Sequence, residues 1–518
     1  MQTLRRVVAA LTFPAIAYLG GACERDTPTT VPPKPVMQSY PPPDLIVDDD
    51  HAQCPTATFT TIQAAINAAN PNDVILVCAG TYPEPLTGTL AINKTLTLLG
   101  AQNTVDARGA RGPESIITDM NGARVSASNV VIDGFTVQNS INPNETGYGI
   151  HMSPGISGTQ ILNNIIQDDI AGIGLANSGA QAVIRHNLFQ NNNVPGPATG
   201  QGIYTDQSVG GPVVENVLVE ENAFRSNDVA GIDVSNTDAT GGVFNLDVST
   251  NSFDLNGRAV LLFNTHNSSF HDNSVTNSTE ALSAAVRILD NNTNFSVLNN
   301  NLVNGLGHAI RLSRVPIIEG GLDLPSSGVV INENNIGTVG SMSFVGDGLL
   351  VDPGSHTTTV NAECNWWGSN TGPTNVNNLG GTGEEVVGDA DFTPWLTAPG
   401  GSCIGGLGLH GMVTGGGQIN VTGGTGSFGF SAKQGTLSGH LDYMNHFTRA
   451  HLNCTVNSVI LMGATKARLS GPCSSKNAGG ATSFTADVED NDKTMDKFTI
   501  TYGPTEGGTI RSGNIQIK

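Results

Sequence analysis

A short asparagine-containing phrase that recurs along the chain is the feature that most restricts its fold. In each copy a few apolar residues surround an asparagine, and the copies begin 22 to 35 residues apart. We align them on Asn164, Asn187, Asn222, Asn251, Asn273, Asn301, Asn335 and Asn365. Self-similarity at a period of about 20–50 residues is typical of solenoids. The middle of the chain is therefore predicted to be a stack of similar coils.

A second phrase alternates with the first and identifies the kind of coil. It is a small residue followed by apolar residues at every second position, as in Gly202–Thr205 and Gly231–Val234. Such short runs with a period of two are strands, and no second helical pattern intervenes. We predict an all-β fold: a right-handed parallel β-helix of about 9–11 coils, with an asparagine ladder along one corner.

Other segments are expected to bound this solenoid. Residues Thr61–Ala69 form an amphipathic pattern with a threonine N-cap, and this helix would cover the N-terminal end of the coils. After a Gly-rich hinge, strands separated by glycine turns predict a small antiparallel β-domain. The predicted divisions are a signal peptide at 1–22, a Pro/Thr-rich linker at 23–44, the β-helix at 45–400, the hinge at 401–411 and the C-terminal β-domain at 412–518.

The N-terminus has the pattern of an export signal. Arg5 and Arg6 precede an apolar run and a group of small residues that ends at Cys23. The segment Leu19–Cys23 resembles a bacterial lipoprotein box, so we expect a lipid anchor on Cys23; ordinary cleavage after Ala22 is the alternative. Either way the chain is predicted to be exported, as an envelope lipoprotein or a secreted protein.

The cysteines fit an oxidising compartment. Without Cys23, six remain, and six allow 15 pairings. Proximity in the sequence favours disulfides, the ordinary state of exported cysteines. The favoured pairs are Cys54–Cys78, Cys364–Cys403 and Cys454–Cys473.

Several runs resemble a known group of proteins. The stretch TTIQAAINAANPNDVILVCAGTYPE, followed by INKTLTLLGA, and the later runs CNWWGSNTGPT and FTPWL resemble secreted bacterial β-helix proteins of the pectate-lyase-like superfamily. The resemblance spans roughly residues 45–396 and implies the fold. It does not imply one chemistry, since this fold carries lyases, hydrolases, esterases, epimerases and non-catalytic proteins. The C-terminal part looks like a module at the end of secreted bacterial surface proteins.

The second phrase also predicts where a ligand would bind. Its polar positions point outward and stack from coil to coil, about 4.8 Å apart. Carboxylates, arginines and aromatic rings on one face favour a sugar-binding platform. The ligand-binding candidates are His151, Tyr204, Asp206, Asp233, Phe263, Arg287 and Arg311. If the protein is an enzyme, Asp233, Arg287 and Arg311 are the catalytic candidates, in a lyase or a hydrolase.

Charge restricts the partners and suggests one cofactor. With 44 Asp+Glu against 23 Lys+Arg, the net charge is −21, which argues against nucleic acid. Calcium is the one expected cofactor, because a run of oxygen ligands lies in the C-terminal domain. Those residues are Asp487, Glu489, Asp490, Asp492 and Asp496. The triplet Asp48–Asp50 is a weaker candidate.

Four further features are given structural interpretations. The pair Asp168–Asp169 is expected in a solvated turn. His186 and His271 are expected to be solitary surface residues. Trp366 and Trp367 are expected to cap the last coil.

Three functions remain open at this point. The favoured one is an exported, monomeric β-helix protein that binds an extracellular polysaccharide or a cell-surface ligand without catalysis. The alternatives are a polysaccharide lyase or hydrolase on the same face, and a structural or adhesive surface protein. The first requires Tyr204, Asp233, Arg287 and Arg311 to form one contiguous face.

Overall fold

Three long parallel sheets run the length of the coiled region in the computed structural model. The structure describes residues 39–83, 89–118, 121–142, 147–339, 343–401, 412–433, 439–461, 465–491 and 495–517. The predicted signal peptide, Cys23 and most of the predicted linker lie outside these residues. In the described part, the sheets contain 13, 10 and 11 strands, and each strand pairs in parallel with its equivalent one coil away. The predicted parallel β-helix is confirmed.

The strands of the three sheets follow one another around each coil. The first sheet comprises Leu45–Val47, Val74–Val77, Thr97–Leu99, Val131–Asp133, Gln160–Leu162, Ala182–Arg185, Val213–Glu220, Gly242–Ser249, Thr265–His271, Thr293–Leu298, Val330–Asn332, Val360–Asn361 and Ala390–Asp391. The second comprises Gly80–Tyr82, Ser115–Thr118, Phe135–Gln138, Ile165–Gln167, Leu188–Gln190, Ala223–Arg225, Ser252–Asp254, Ser274–Ser278, Asn301–Gly305 and Asn335–Ile336. The third comprises Leu90–Ile92, Ala123–Val125, Tyr148–Met152, Ala171–Gly174, Gln201–Thr205, Ala230–Ser235, Val260–Phe263, Ala284–Leu289, His308–Ser313, Leu349–Val351 and Val386–Val387.

Apolar residues of all three sheets form one continuous core. Residues at equivalent positions stack coil upon coil, as the phenylalanines of the second sheet show. The ring centroids of Phe189, Phe224 and Phe253 are 4.7 Å apart at each step, with the rings 5° from parallel. Offset stacking of this kind adds to the free energy of burial.

The corner between the first and second sheets carries the predicted asparagine ladder. Asn164 Oδ1 accepts the Phe135 backbone amide, and each later buried side chain accepts hydrogen bonds from the backbone and side-chain amides of the asparagine one coil before it. The rungs are Asn164, Asn187, Asn222, Asn251, Asn273, Asn300, Asn334 and Asn365. The prediction is therefore wrong by one residue at two rungs, which it placed at Asn301 and Asn335.

Backbone geometry explains that error. Every rung follows a residue with a positive φ, which turns the chain at the corner. Asn299 and Glu333 have this conformation, with φ of 53° and 61°. The residue after each must then be the rung, although the next residue is also an asparagine.

A short helix, Ile62–Ala68, covers the N-terminal part of the core as predicted. The Thr61 side chain accepts a hydrogen bond from the Ala64 amide at 3.3 Å and caps the helix. At the other end, Lys94 Nζ donates to three backbone carbonyls, which places a cation at the negative end of the helix. A 3₁₀ turn at Ile317–Glu319 is the other helical segment among the described residues. No helix in this part of the chain is long and apolar enough to span a membrane.

The C-terminal part is a closed antiparallel β-barrel with its own core. Its strands are Met412–Val421, Gly424–Lys433, Gly439–Asn445, His451–Val456, Ser458–Leu461, Lys466–Lys476, Ser483–Glu489, Lys497–Thr501 and Thr505–Ile517. Pairing of His451–Val456 with Lys466–Lys476 closes the sheet. Closure removes the unpaired edges that invite aggregation.

Two of the predicted disulfides lie in the described part of the chain. Cys54–Cys78 joins the start of the β-helix to its next coil, and Cys454–Cys473 joins neighbouring barrel strands. Cys364 is also disulfide-bonded. Its predicted partner, Cys403, lies outside the described residues, so that pairing stays a prediction.

Candidate functional site

The outward positions of the third sheet form the column that the sequence predicted. Strand register pairs each residue of the column with the next one along. The sequence of partners is Ala91, Arg124, His151, Gly174, Tyr204, Asp233, Leu261, Arg287, Arg311 and Leu350. The four residues that the favoured function required therefore lie in one column of this outward face, but they are not contiguous on its surface, because Asp233 is buried and Leu261 separates it from Arg287. From Tyr204 to Arg311 the column spans about 19 Å at about 4.8 Å per coil.

An aromatic cluster lies at one end of this face. Tyr148 is buried beneath Tyr204, with the two rings 16° from parallel and their centroids 6.5 Å apart. The His151 ring lies 5.2 Å from that of Tyr148. Gly174 makes room for both, because a Cβ atom there would lie 2.9 Å from the Tyr148 ring. The half-buried Tyr204 ring is thus supported from below.

Tyr204 is fixed at its hydroxyl by a neighbouring carboxylate. The Tyr204 hydroxyl donates to Asp206 Oδ2 at 2.9 Å. Asp206 Oδ1 accepts the backbone amides of Ser208 and Val209, each at 2.7 Å. Asp206 follows the strand and its turn holds it in place, so it orients the ring.

Asp233 is buried rather than displayed on the surface. Burial raises the pKa of its carboxyl, although a hydrogen bond from Ser235 acts against the rise. The Gln201 amide lies 3.4 Å away. When that amide is turned so that its nitrogen donates to the carbonyls of Ala198 and Thr199, its oxygen faces Asp233. A protonated carboxyl can donate to that oxygen, which fits the raised pKa.

His151 is held in its neutral form. Burial lowers its pKa to about 4, and nearby Arg124 acts in the same direction. Its Nε2 atom is buried and has no hydrogen-bond partner. At neutral pH the face therefore carries an uncharged imidazole with an unused ring nitrogen.

Arginines occupy the other end of the column. Arg311 is paired with Asp352, at 2.9 Å between Nη2 and Oδ2. The register partner of Arg311 is Arg287, whose Nη1 atom is buried without a hydrogen-bond partner. Burial lowers the pKa of Arg287 to about 10, and Arg311 adds to the effect. It stays charged at neutral pH, in surroundings that disfavour the charge.

One predicted contributor does not fit. Phe263 is 5% exposed and lies between its register partners Ser235 and Leu289, so the expectation that its ring gives exposed apolar surface is wrong. Half-buried Leu261 separates the aromatic end of the face from the arginine end.

The carboxylates predicted to bind calcium are mostly engaged with protein donors. Asp487 is bridged to Arg468, and Glu489 to two lysines. Buried Asp496 accepts the backbone amides of Asn491 and Ile515. In addition, Asp490 accepts the Ile517 amide, and Asp492 lies outside the described residues. The oxygens of Asp48, Asp49 and Asp50 lie within 4.8 Å of one another. Calcium binding stays a prediction.

The histidines and acidic pair that we interpreted structurally differ from expectation. His271 is not solitary, because its ring bonds Asp272 at 2.6 Å and Asp247 at 2.9 Å. His186 bonds Glu221 at 2.8 Å. In the pair Asp168–Asp169, the first residue is exposed but Asp169 is fully buried. The sequence shows which residues are polar but not that neighbouring coils cover them.

The two tryptophans and two further residues complete the account of the site. Trp366 and Trp367 are buried near the last coils. The sequence reasoning missed Tyr148, which precedes its strand's small residue, and Arg124, which begins the polar part of the column. Extending the column one coil toward the N-terminus would have found Arg124.

The comparisons with known proteins bear on the fold alone. No family model and no curated protein matches the sequence. Among solved structures, an alginate lyase from Paenibacillus sp. is 12% identical, with a TM-score of 0.38, over 57% of this chain and 93% of that chain. The A-module of a mannuronan C-5 epimerase from Azotobacter vinelandii is 14% identical, with a TM-score of 0.31, over 60% and 84%. A surface adhesin of Streptococcus pneumoniae is 15% identical, with a TM-score of 0.34, over 56% and 86%. The sheets define the class: a parallel β-helix followed by a closed antiparallel β-barrel.

Proposed function

We propose that this chain is an extracellular protein that binds an acidic polysaccharide along the outward column of the third sheet. The observation that carries the proposal is Arg287, a partly buried guanidinium with an unused donor on the same column as the Tyr204 ring. The polymer would lie along the β-helix axis and cross several coils.

The arginine end supplies recognition of negative charge. A guanidinium binds a carboxylate through paired hydrogen bonds, and burial strengthens those bonds because water competes less. Arg311 is already neutralised by Asp352, whereas Arg287 lies beside it with a buried, unpaired Nη1. A uronate carboxylate, or a sulfate ester, would satisfy that nitrogen. Because the chain as a whole carries a net charge of −21 and repels a polyanion, binding of a polyanion requires a local cationic site such as this one.

The aromatic end supplies a surface for a sugar ring. Tyr204 is half-buried, underlain by Tyr148 and held by Asp206, so its orientation is fixed before a ligand arrives. A preformed platform reduces the entropy cost of binding. Arg287 lies three coils away, about 14 Å, so an oligosaccharide rather than one sugar would contact both.

A second candidate function is catalysis at the aromatic end. Asp233, with its raised pKa, and neutral His151 are titratable groups that burial has moved in opposite directions. Groups with separated pKa values are suited to act as acid and base. His151 and Asp233 lie three coils apart, about 14 Å, so they would not act together on one glycosidic bond; Asp233, next to Tyr204 on the column, is the candidate that an assay of turnover tests.

Calorimetric titration with polygalacturonate, alginate and neutral dextran tests the binding proposal. We expect binding of the acidic polymers that weakens with salt, and 10- to 100-fold weaker binding by Arg287→Gln, about the value of a charged hydrogen bond. Arg314→Gln is the matched control, because Arg314 pairs with Asp323 and lies off the column. Equal losses in the two variants would refute the assignment to Arg287.

A chromatographic assay of the same polymers separates binding from turnover. Fragments or altered sugars that vanish in Asp233→Asn, while binding persists, would establish the catalytic candidate. If the polymers are unchanged, binding without catalysis remains as the function. Tyr204→Phe keeps the aromatic ring and Tyr204→Ala removes it. If the protein binds the polymer without turning it over, only Tyr204→Ala is expected to weaken binding. A parallel series with chelator tests the expected calcium.

Export and anchoring follow from the sequence and form part of the same proposal. We expect radiolabelled fatty acid to be incorporated by the full chain in a bacterial host and not by Cys23→Ala. Labelling of both would contradict an anchor at that cysteine. Secretion of an unlabelled mature chain would support the alternative cleavage after Ala22.

A further inference from the structure

A second ladder lies at the corner between the second and third sheets. Its rungs are Ser140, Asp169, Asn192, Asn227 and Asn256, and each follows a residue with a positive φ. Asn192 and Asn227 make the same two bonds, since each side-chain amide donates to the asparagine of the next coil and to a backbone carbonyl of the preceding coil. Asn227 Nδ2 donates to Asn256 Oδ1 at 2.9 Å and to the Phe189 carbonyl of the preceding coil at 3.3 Å.

Asp169 occupies one rung without the donor that an asparagine would provide. Its Oδ1 accepts the Ser140 amide at 2.7 Å, and its backbone amide donates to Asn192 Oδ1. Its Oδ2 atom is buried and has no partner. Asn192 directs Nδ2 at the Ile166 carbonyl, and the register partner of Ile166 one coil earlier is Val137. An ionised Oδ2 would therefore face the Val137 carbonyl and Asn192 Oδ1, which are both acceptors.

We propose that Asp169 carries a proton on Oδ2 and serves as a neutral rung, so that it donates where the asparagines donate. Complete burial raises its pKa well above the usual range, and the charge of Asp168 acts in the same direction. The Ser140 backbone and side chain lower it, but they are uncharged. Asp168 is the charged group that acts on this carboxyl among the described residues. Leaving a buried carboxylate unpaired would cost far more than protonating it.

This rung supports the coils that form the aromatic end of the face. Gly149, in the strand that carries His151, packs so closely that a Cβ atom there would lie 2.4 Å from Oδ2. The Asp169 carbonyl accepts the Val194 amide at 3.1 Å, at the start of the loop that leads to Tyr204. Loss of the proton would place a charge under these coils.

Unfolding in urea between about pH 4 and 9 tests the proton, with Asp169→Asn compared with the wild-type chain. Below the unfolded-state pKa both states of the wild type are protonated, and the difference between the chains is constant. Above it only the folded state keeps the proton, so the wild-type unfolding constant rises up to tenfold per pH unit relative to the variant. The difference levels off above the folded-state pKa.

A control and a direct observation make the test decisive. Asp168→Asn removes the exposed neighbour and is expected to follow the wild-type pH profile closely. At neutral pH, the infrared spectrum of the folded wild type should contain a carboxylic-acid C=O stretch that Asp169→Asn lacks and Asp168→Asn keeps. A pH-independent difference in unfolding, or the absence of that band, would overturn the proposal.

Discussion

Replacing Asn300 with alanine removes one rung of the first ladder near the C-terminal coils. The side chain is fully buried and makes four hydrogen bonds. Its Nδ2 donates to Phe270 and Asn334 at 2.9 Å, and its Oδ1 accepts the backbone and side-chain amides of Asn273 at 2.9 and 3.0 Å. The Asn273 side chain keeps a bond to Val248, but its backbone amide is left without a partner.

The magnitude follows from these bonds. Four hydrogen bonds at about 1 kcal/mol each come to about 4 kcal/mol, and this sum already includes the bond of the Asn273 backbone amide that is left stranded. We expect Asn300→Ala to lower the free energy of unfolding by about 3–5 kcal/mol. Asn301→Ala is the matched control, because Asn301 is the next residue and is exposed. Its change should stay within about 0.5 kcal/mol.

Tryptophan fluorescence in urea reads this effect locally. The three tryptophans are Trp366, Trp367 and Trp395, all close to the last coils and none in the barrel. The signal therefore follows the end of the solenoid, where neighbouring coils stabilise one another. If Asn301→Ala is as destabilising as Asn300→Ala, or if neither has an effect above 1 kcal/mol, the assignment of the ladder is refuted.

Three further changes are expected to be informative. Burial lowers the pKa of His271, but the carboxylates of Asp247 and Asp272 outweigh burial and raise this pKa to about 10. The stabilisation of the folded state by these ion pairs is therefore present below the unfolded-state pKa and is lost as the pH rises through about 10. An NMR titration of His271 should show a lower pKa in Asp247→Asn. Phe224→Ala opens the stack of second-sheet rings and should cost about 3–5 kcal/mol by urea unfolding, whereas Phe224→Leu should cost less. Cys454→Ser with Cys473→Ser opens a loop of 19 residues in the barrel and should cost about 3 kcal/mol, seen by circular dichroism as a lower melting temperature.

The sequence was sufficient for the fold because the fold repeats. Period-two alternation fixed which residues face inward, and the register followed for the whole column from His151 to Leu350. The two misplaced rungs show the limit. At Asn300–Asn301 and Asn334–Asn335 both residues suit the ladder chemically, and only the positive φ of the preceding residue decides between them.

The electrostatics of the site could not be predicted in the same way. Asp233 and Asp169 are ordinary acidic residues in the sequence, and their raised pKa values come from coverage by adjacent coils. Nothing in the sequence distinguishes His271 from His151. Two carboxylates nevertheless keep His271 charged, whereas burial beside Arg124 keeps His151 neutral. Such differences depend on burial and on contacts between coils, such as the bond of His271 to Asp247, which lies 24 residues away in the sequence.

The solenoid also provides the strongest physical argument that the face has a ligand. Its outward positions do not need arginine, because the same column accepts Gly174, Leu261 and Leu350 at equivalent places. At Arg287 the chain buries a guanidinium nitrogen without a partner and places it beside a second arginine, which costs free energy and adds nothing to the core. An anion bound there would recover that cost. Arg287→Leu should then stabilise the free protein in urea while it weakens binding of the acidic polymer, whereas a purely structural role would make the same variant less stable.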